Sequence, residues 1–196
     1  MLTYTGVGSR STPPAILQDM ILIGQRLAIN GWTLRTGRAQ GADQAFEHGC
    51  DLVATENSAD KEIFLPWNGF PGEDHYDYKE PFKAPRILVE SPGENAIQMA
   101  QDLLYPNHWN RMKQGARKLH ARNCYQVLGM DLETPSDLLI CWAEIDNYMY
   151  PGDPKARDYP RGGTATAWKL AKKYNIPCYN LYSDLDRVKF YDIIYP

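Results

Sequence analysis

The 196-residue chain has no run of about 18 apolar residues, so no helix in it is expected to cross a membrane. Cysteine is scarce. Cys50, Cys124, Cys141 and Cys178 are the four, none pairs as C-x-x-C, and no Cys/His spacing suits zinc. Three of these thiols stand in apolar or helical surroundings, as reduced, packed thiols do, and no metal is indicated. Basic excess is absent too: the formal net charge is −3. Proteins that coat nucleic acid are usually basic, so non-specific coating is not expected, although a local basic pocket is allowed. The N-terminus lacks a basic segment followed by an apolar run, so no signal peptide is expected and the compartment reads as reducing and cytoplasmic. There is no internal repeat and no low-complexity segment. There is no P-loop G-x-x-x-x-G-K-[ST], and Ser11 interrupts the G-x-G-x-x-G spacing that would begin at Gly6. Ordinary NAD binding is therefore only weakly supported, and no cofactor is expected beyond a nucleotide ligand.

What remains is a chain with 43% hydrophobic and 23% charged residues, enough for a substantial core in one generous domain. Apolar strand-like runs alternate with helical periods. Residues 2–7 read as a strand, followed by a helix with Ile16, Met20, Ile23 and Leu27 on one face, ended by Asn30-Gly31. Trp32 to Thr36 reads as a second strand, followed by a helix marked by Ala42, Ala45, Phe46, Gly49, Leu52 and Val53. Lys61 to Pro66 is a third strand. Residues 67 to about 90 lose all period and read as a long loop. Ser91-Pro92-Gly93-Glu94 reads as a capping box opening a helix. Another helix carries Trp109, Met112, Ala116 and Leu119. Asp137 to Ala143 is apolar almost throughout, as a central strand buried on both faces would be. Arg161 to Thr164 leads into a helix with Ala167, Trp168, Ala171 and Tyr174, and Ile176 to Leu181 is the last strand. The aromatic tail from Tyr182 is expected to pack on the body. The fold class is thus α/β: a Rossmann-like parallel sheet with helices on both faces. One domain is expected over 1–196, with an inserted loop and helical segment at about 67–120.

Three strand-to-helix junctions carry glycines: Gly6-Val7-Gly8-Ser9-Arg10, Thr36-Gly37-Arg38-Ala39-Gln40-Gly41-Ala42-Asp43, and Arg161-Gly162-Gly163-Thr164-Ala165. All would lie at the carboxyl edge of a parallel sheet, where ligands bind. Glycine lets the backbone approach a phosphate, and the following helix offers free N–H groups and the positive end of its dipole. Ser9, Thr36 and Thr164 add hydroxyl donors, and Arg10, Arg38 or Arg161 can add charge-assisted bonds.

The set Gly8-Ser9-Arg10, Thr36-Gly37 with Gly41-Ala42-Asp43, and Gly162-Gly163-Thr164 resembles the DprA/Smf and SLOG superfamily. There a strand ends in GSR, a second junction reads like SGGAxGxD, and a late junction reads GGT or GGxGT. The segment from Gly162 to Leu181 looks especially close. Overall the chain is most similar to the small DprA-like proteins of phages and prophages, which would make the site of action a host cytoplasm. The resemblance implies a nucleotide or nucleotide-derived ligand and a homo-oligomer. It also leaves two further activities open: single-stranded DNA binding by a recombination mediator, and hydrolysis or transfer at an N-glycosidic bond. The hydrolytic members carry PGGxGTxxE with a catalytic glutamate. Here GGT is followed by Ala165-Thr166-Ala167-Trp168, and no acid stands at that position. Asp43, Glu144 and Asp146 are the carboxylates at nearby junctions. The basic residues for a DNA groove would be Arg10, Arg38, Arg111, Lys113, Arg117, Lys118 and Arg122, with His108, Trp109 and His120 near them.

Several other residues carry chemistry. Asp43 either stabilises a helix dipole or bonds a ribose or base. The polar stretch His120 to Tyr125 precedes Gln126-Val127-Leu128-Gly129 and then the central strand, and Arg122 and Asn123 from it can line the pocket. Trp142 either fills the core or stacks on a base, and His75 stands in the inserted loop. The residues expected to hold ligand are therefore Gly8, Ser9, Arg10, Thr36, Gly37, Gly41, Ala42, Asp43, Arg122, Asn123, Gly162, Gly163 and Thr164.

Overall fold

The computed structural model describes residues 2–53, 61–70, 86–89, 91–104, 106–145 and 159–194. In chain order these form β1 (Thr3–Gly8), α1 (Pro14–Ile29), β2 (Thr33–Thr36), α2 (Ala42–Asp51), β3 (Lys61–Phe64), β4 (Arg86–Val89), α3 (Glu94–Leu103), α4 (Pro106–Arg111), α5 (Gln114–Leu128), β5 (Leu138–Trp142), α6 (Thr164–Lys173), β6 (Cys178–Asn180) and α7 (Asp184–Ile194). The strands make one six-stranded sheet in the order β4-β3-β2-β1-β5-β6, and every neighbouring pair is parallel. This is the Rossmann-like α/β architecture that the alternating pattern predicts.

The period of two along each strand divides the core. In β5, Leu139 and Cys141 enter the cluster formed with α3, α5 and α6, while Ile140 and Trp142 enter the one formed with α1, α2 and α7. Both faces of this strand are dry, which is why it reads as an uninterrupted apolar run. From β1 the chain steps outward through β2 and β3 to β4, then returns to the other side of β1 for β5 and β6. The strand order therefore reverses between β1 and β5, and a crevice opens at their carboxyl ends.

Two expectations need correction, the loop reading of residues 67 to about 90 and the capping box. Residues 67 to about 90 read as loop, yet Arg86–Val89 pairs with β3 as the edge strand, with a register shift between Ile63 and Phe64. Four residues are too few to show a period. Within the stretch 67–120, expected to hold a loop and helices, the described residues form β4, α3, α4 and the start of α5. The Ser91 capping box does not form: Gly93 is the N-cap of α3 without a side-chain bond, its N–H donates to Tyr125 Oη at 3.2 Å, and Ser91 Oγ accepts from Lys118 Nζ at 3.3 Å. The polar stretch His120 to Tyr125 is the middle of α5, and Gln126 to Leu128 is its last turn. The tail does pack on the body, as α7, through buried Phe190 set edge-to-face on Tyr179 with ring centroids 4.9 Å apart. His75 and Asp146 lie outside the described residues.

No helix of the described residues is long and apolar enough to cross a membrane. All four thiols are free, and burial pushes Cys50 and Cys124 up to about 12 and Cys178 up to about 11. Thiols held that far from the thiolate are packing groups rather than nucleophiles.

Candidate functional site at the carboxyl ends of β1 and β5

A cleft of about 430 Å³ opens where the strand order reverses. The first turn lines it with Gly8, Ser9, Arg10 and Ser11, the second with Ala39 and Asp43, and the third with Arg161, Gly162, Gly163 and Thr164. The three glycine turns do meet at one rim. The end of β5 adds Ala143 and Glu144, and α5 adds Leu119, Arg122, Asn123 and Gln126.

The first turn is held from below. Ser9 N donates to Trp142 O at 2.9 Å, Thr12 Oγ1 donates to Ser9 O at 2.7 Å, and Ser11 N donates to Ser9 Oγ at 3.1 Å. The second turn is mostly structural. Thr36 is fully buried and its hydroxyl donates to Gly6 O at 2.7 Å, so it is no ligand donor. Gly41 has φ +88°, and a Cβ there would lie 2.7 Å from Ser9 O; the second turn thus packs directly on the first. Ala42 is buried under Gly8, where a Cβ would fall 2.6 Å from the Ala42 methyl. Gly37 is covered by Arg122. Arg38, expected to offer charge to a ligand, adopts φ 59° and points into the interior, where Nη2 lies 3.0 Å from Glu47 Oε1. Thr36, Gly37, Gly41 and Ala42 are therefore absent from the cleft lining, for one reason: the turn is folded against β1 and α5.

The third turn is open. Gly162 has φ +65° with nothing within 4 Å of a would-be Cβ, and Gly163 N-caps α6. Asn123 Nδ2 donates to Gly163 O at 2.7 Å, which ties the turn to α5. Arg161 N donates to Glu144 O at 2.7 Å, and their side chains pair across the rim at 3.0 Å, each about 52% exposed. Such an exposed pair contributes little stability, so a ligand can take either partner at small cost.

The floor is different. Arg122, 5% exposed, places Nη1 3.3 Å from Asp43 Oδ2, and Ala39 N donates to the same oxygen at 3.4 Å. Burial pushes the Asp43 carboxyl above its ordinary value; Arg122, the Ala39 and Gly37 N–H groups and Gln126 pull it back. Burial pushes Arg122 down, Asp43 restores part of that, and the nearby charge of Arg10 lowers it again. Two guanidinium groups thus repel each other across the cleft while two helices, α2 and α6, begin beside it. Arg122 Nε and both amide atoms of Gln126 are buried with no hydrogen-bond partner among the described residues. Gln126 stands near Asp43 without the geometry of a hydrogen bond. Polar atoms left over beneath a cleft mark a place adapted to something besides the fold.

Asp43 lines the cleft at 2% exposure and is paired with Arg122, whereas Glu144 stands open at the rim. Trp142 is core, edge-to-face on Tyr182 at 5.9 Å. The basic residues expected to form a groove are dispersed: Arg117 lies over the ring of buried Trp109 at 5.4 Å, Lys118 holds Ser91, and Arg38 and Arg122 are buried in ion pairs. His120 Nδ1 sits 2.6 Å from Thr166 Oγ1 between α5 and α6. Sequence reasoning missed Leu119 and Gln126. Together with Arg122 and Asn123 they occupy positions i, i+3, i+4 and i+7 of one helix face, a pattern visible only once the stretch is read as helix. Among the described residues no three His, Cys, Asp or Glu side chains gather to hold a metal ion.

No family model and no curated protein matches the sequence. Two solved structures are similar to the chain. The DNA processing protein A of Helicobacter pylori, described for its single-stranded DNA binding mode, shares 17% identity at a TM-score of 0.52, over 97% of this chain and 72% of that one. The molybdenum cofactor binding protein of Rippkaea orientalis shares 17% identity at a TM-score of 0.48, over 98% and 84%. At this identity the likeness to the Helicobacter protein concerns architecture alone. The chain has a Rossmann-like fold similar to that of DNA processing protein A.

Proposed function

We propose that the cleft binds a nucleotide or another phosphate-bearing nucleotide derivative. One observation carries this reading: three backbone turns and a 5% exposed, incompletely bonded arginine converge on one cleft of about 430 Å³. The anion would rest against the Gly162–Thr164 turn, at the positive end of the α6 dipole, and take charge from Arg10 and Arg122. The volume is within the range of small-molecule sites.

The test is a thermal-shift panel of nucleotides with product separation. A nucleotide at a hundred times its Kd stabilises the fold by about 2.7 kcal/mol. Arg10 is exposed, so Arg10→Glu should weaken binding about tenfold or more without lowering the unliganded melting temperature, because it also removes a repulsion from Arg122. No stabilisation by any phosphate-bearing nucleotide defeats the proposal. Free base among the products would turn the binder into an N-glycosidic enzyme, with Glu144 as the accessible carboxylate.

A second reading is single-stranded DNA binding, for which the structurally similar DNA processing protein A of Helicobacter pylori is described. It requires retention of single strands that falls steeply with salt, and a loss on Arg111→Glu or Lys113→Glu, both exposed.

A further inference from the structure

We propose a second ligand site, at the end of the sheet opposite the cleft, that takes a small aromatic monocarboxylate. A cavity of about 240 Å³ lies between the last turns of α1, the starts of β2 and β5, and α7. Its walls are Trp32, Leu138, Tyr179 and Phe190, with Arg26 and Lys189 also lining it. An apolar cavity of about 150 Å³ is enough for benzene. This one has room for a single ring with a short acid side arm.

The charge at this cavity is one-sided. Among the described residues, no acidic residue lines it. Arg26 is half-buried and makes no ion pair among the described residues. Lys189 Nζ lies 5.7 Å from the Tyr179 ring centroid and only loosely pairs with Asp186, at 3.8 Å. The Asp186 carboxylate is drawn elsewhere, accepting from Asn180 N at 3.0 Å. The C-terminal carbonyls of α1 would repel an anion, but they are already occupied: Arg26 O by Asn30 N, Leu27 O by Trp32 N and Ala28 O by Gly31 N. A ring can thus leave water among aromatic walls while its carboxylate meets a guanidinium that has no counter-ion among the described residues. A nucleotide does not suit this cavity, which has no glycine turn and no helix N-terminus.

The test titrates phenylacetate into the full chain and follows the indole N–H signals of the five tryptophans, with Trp32 assigned by Trp32→Phe. The Trp32 signal should move saturably. Phenylacetamide, the neutral analogue, should bind about tenfold more weakly, and Arg26→Gln should weaken phenylacetate by a similar factor. Leu138→Trp, which fills the cavity, should abolish the shift; if that variant fails to fold, the Arg26→Gln comparison decides by itself. Adenosine monophosphate should leave phenylacetate binding unchanged. Absence of a saturable shift, equal affinity for acid and amide, indifference to Arg26→Gln, or displacement by adenosine monophosphate would each overturn the proposal.

Discussion

The Arg122 guanidinium occupies the space that a side chain on residue 37 would need: a Cβ built on Gly37 would fall 1.3 Å from Arg122 Nη1 and 2.7 Å from Gln126 Nε2. Gly37 therefore serves the cleft without touching it. It clears the path by which α5 lays its arginine over the second turn and against Asp43.

Gly37→Ala should displace Arg122 and abolish ligand binding even where the protein still folds. Gly162→Ala is the contrast. No atom lies within 4 Å of its would-be Cβ, and only the positive φ of 65° resists, at roughly 1–2 kcal/mol. Melting temperature and nucleotide affinity of the two variants check this. Equal effects on affinity would show that Arg122 does not depend on the bare backbone at 37.

The Asp43–Arg122 pair should behave as a unit. Removing one partner leaves a buried charge uncompensated and costs about 3–5 kcal/mol. Asp43→Asn and Arg122→Met should each destabilise by that order, while the double variant should lose much less than the sum. Chemical denaturation of the four proteins in a double-mutant cycle measures the coupling, and strict additivity would remove the pair from the account.

The same reasoning applies to Arg38 and Glu47, both fully buried at 3.0 Å. Glu47 also lies 3.5 Å from Lys61 Nζ, so it answers two cations. Glu47→Gln should cost several kcal/mol, and Arg38→Gly should cost less than Arg38→Ala, because glycine relaxes the strain at φ 59°. Urea midpoints of the three variants give the ordering; Arg38→Ala as stable as Arg38→Gly would remove the strain argument.

His120 should make the fold acid-sensitive. Burial first, then the charges of His108 and Arg122, push it down to about 4 from an ordinary 6.5. The unfolded chain thus takes up this proton at higher pH than the folded one. Its contribution to stability is complete above about pH 6.5 and drains away as pH falls toward 4, by roughly 3 kcal/mol in all. Asp43, whose carboxyl is raised, works in the opposite direction as pH falls, so wild type must be compared with His120→Gln. The stability difference between pH 7.5 and pH 4.5 should shrink in the variant; an unchanged difference would exonerate the histidine.

Much of the architecture was legible before any coordinates. The apolar run of β5, the 3.6-residue period of α1 and the three glycine junctions follow from periodicity and backbone chemistry, which are local properties. β4 was not legible, because an edge strand of four residues carries no period. Nor was the site face of α5, because Ala121, Cys124, Val127 and Leu128 mark only the side of the helix that enters the core, while Arg122, Asn123 and Gln126 face the cleft. Hydrophobic pattern is silent where a helix faces a site rather than a core.

The linear chain could locate the turns, since glycine, serine and threonine at strand ends announce themselves by type. It could not say which way each turn would face. Thr36, Gly37, Gly41 and Ala42 have the composition of a phosphate loop and turn inward. Ser9, Arg10 and the Gly162–Thr164 turn share that composition and face the cleft. The difference lies in what packs against each turn. Arg122 and the Ser9 backbone press on the second turn from elements distant in sequence, while little presses on Gly162, so the assignment of roles waited on contacts that form only when the sheet assembles.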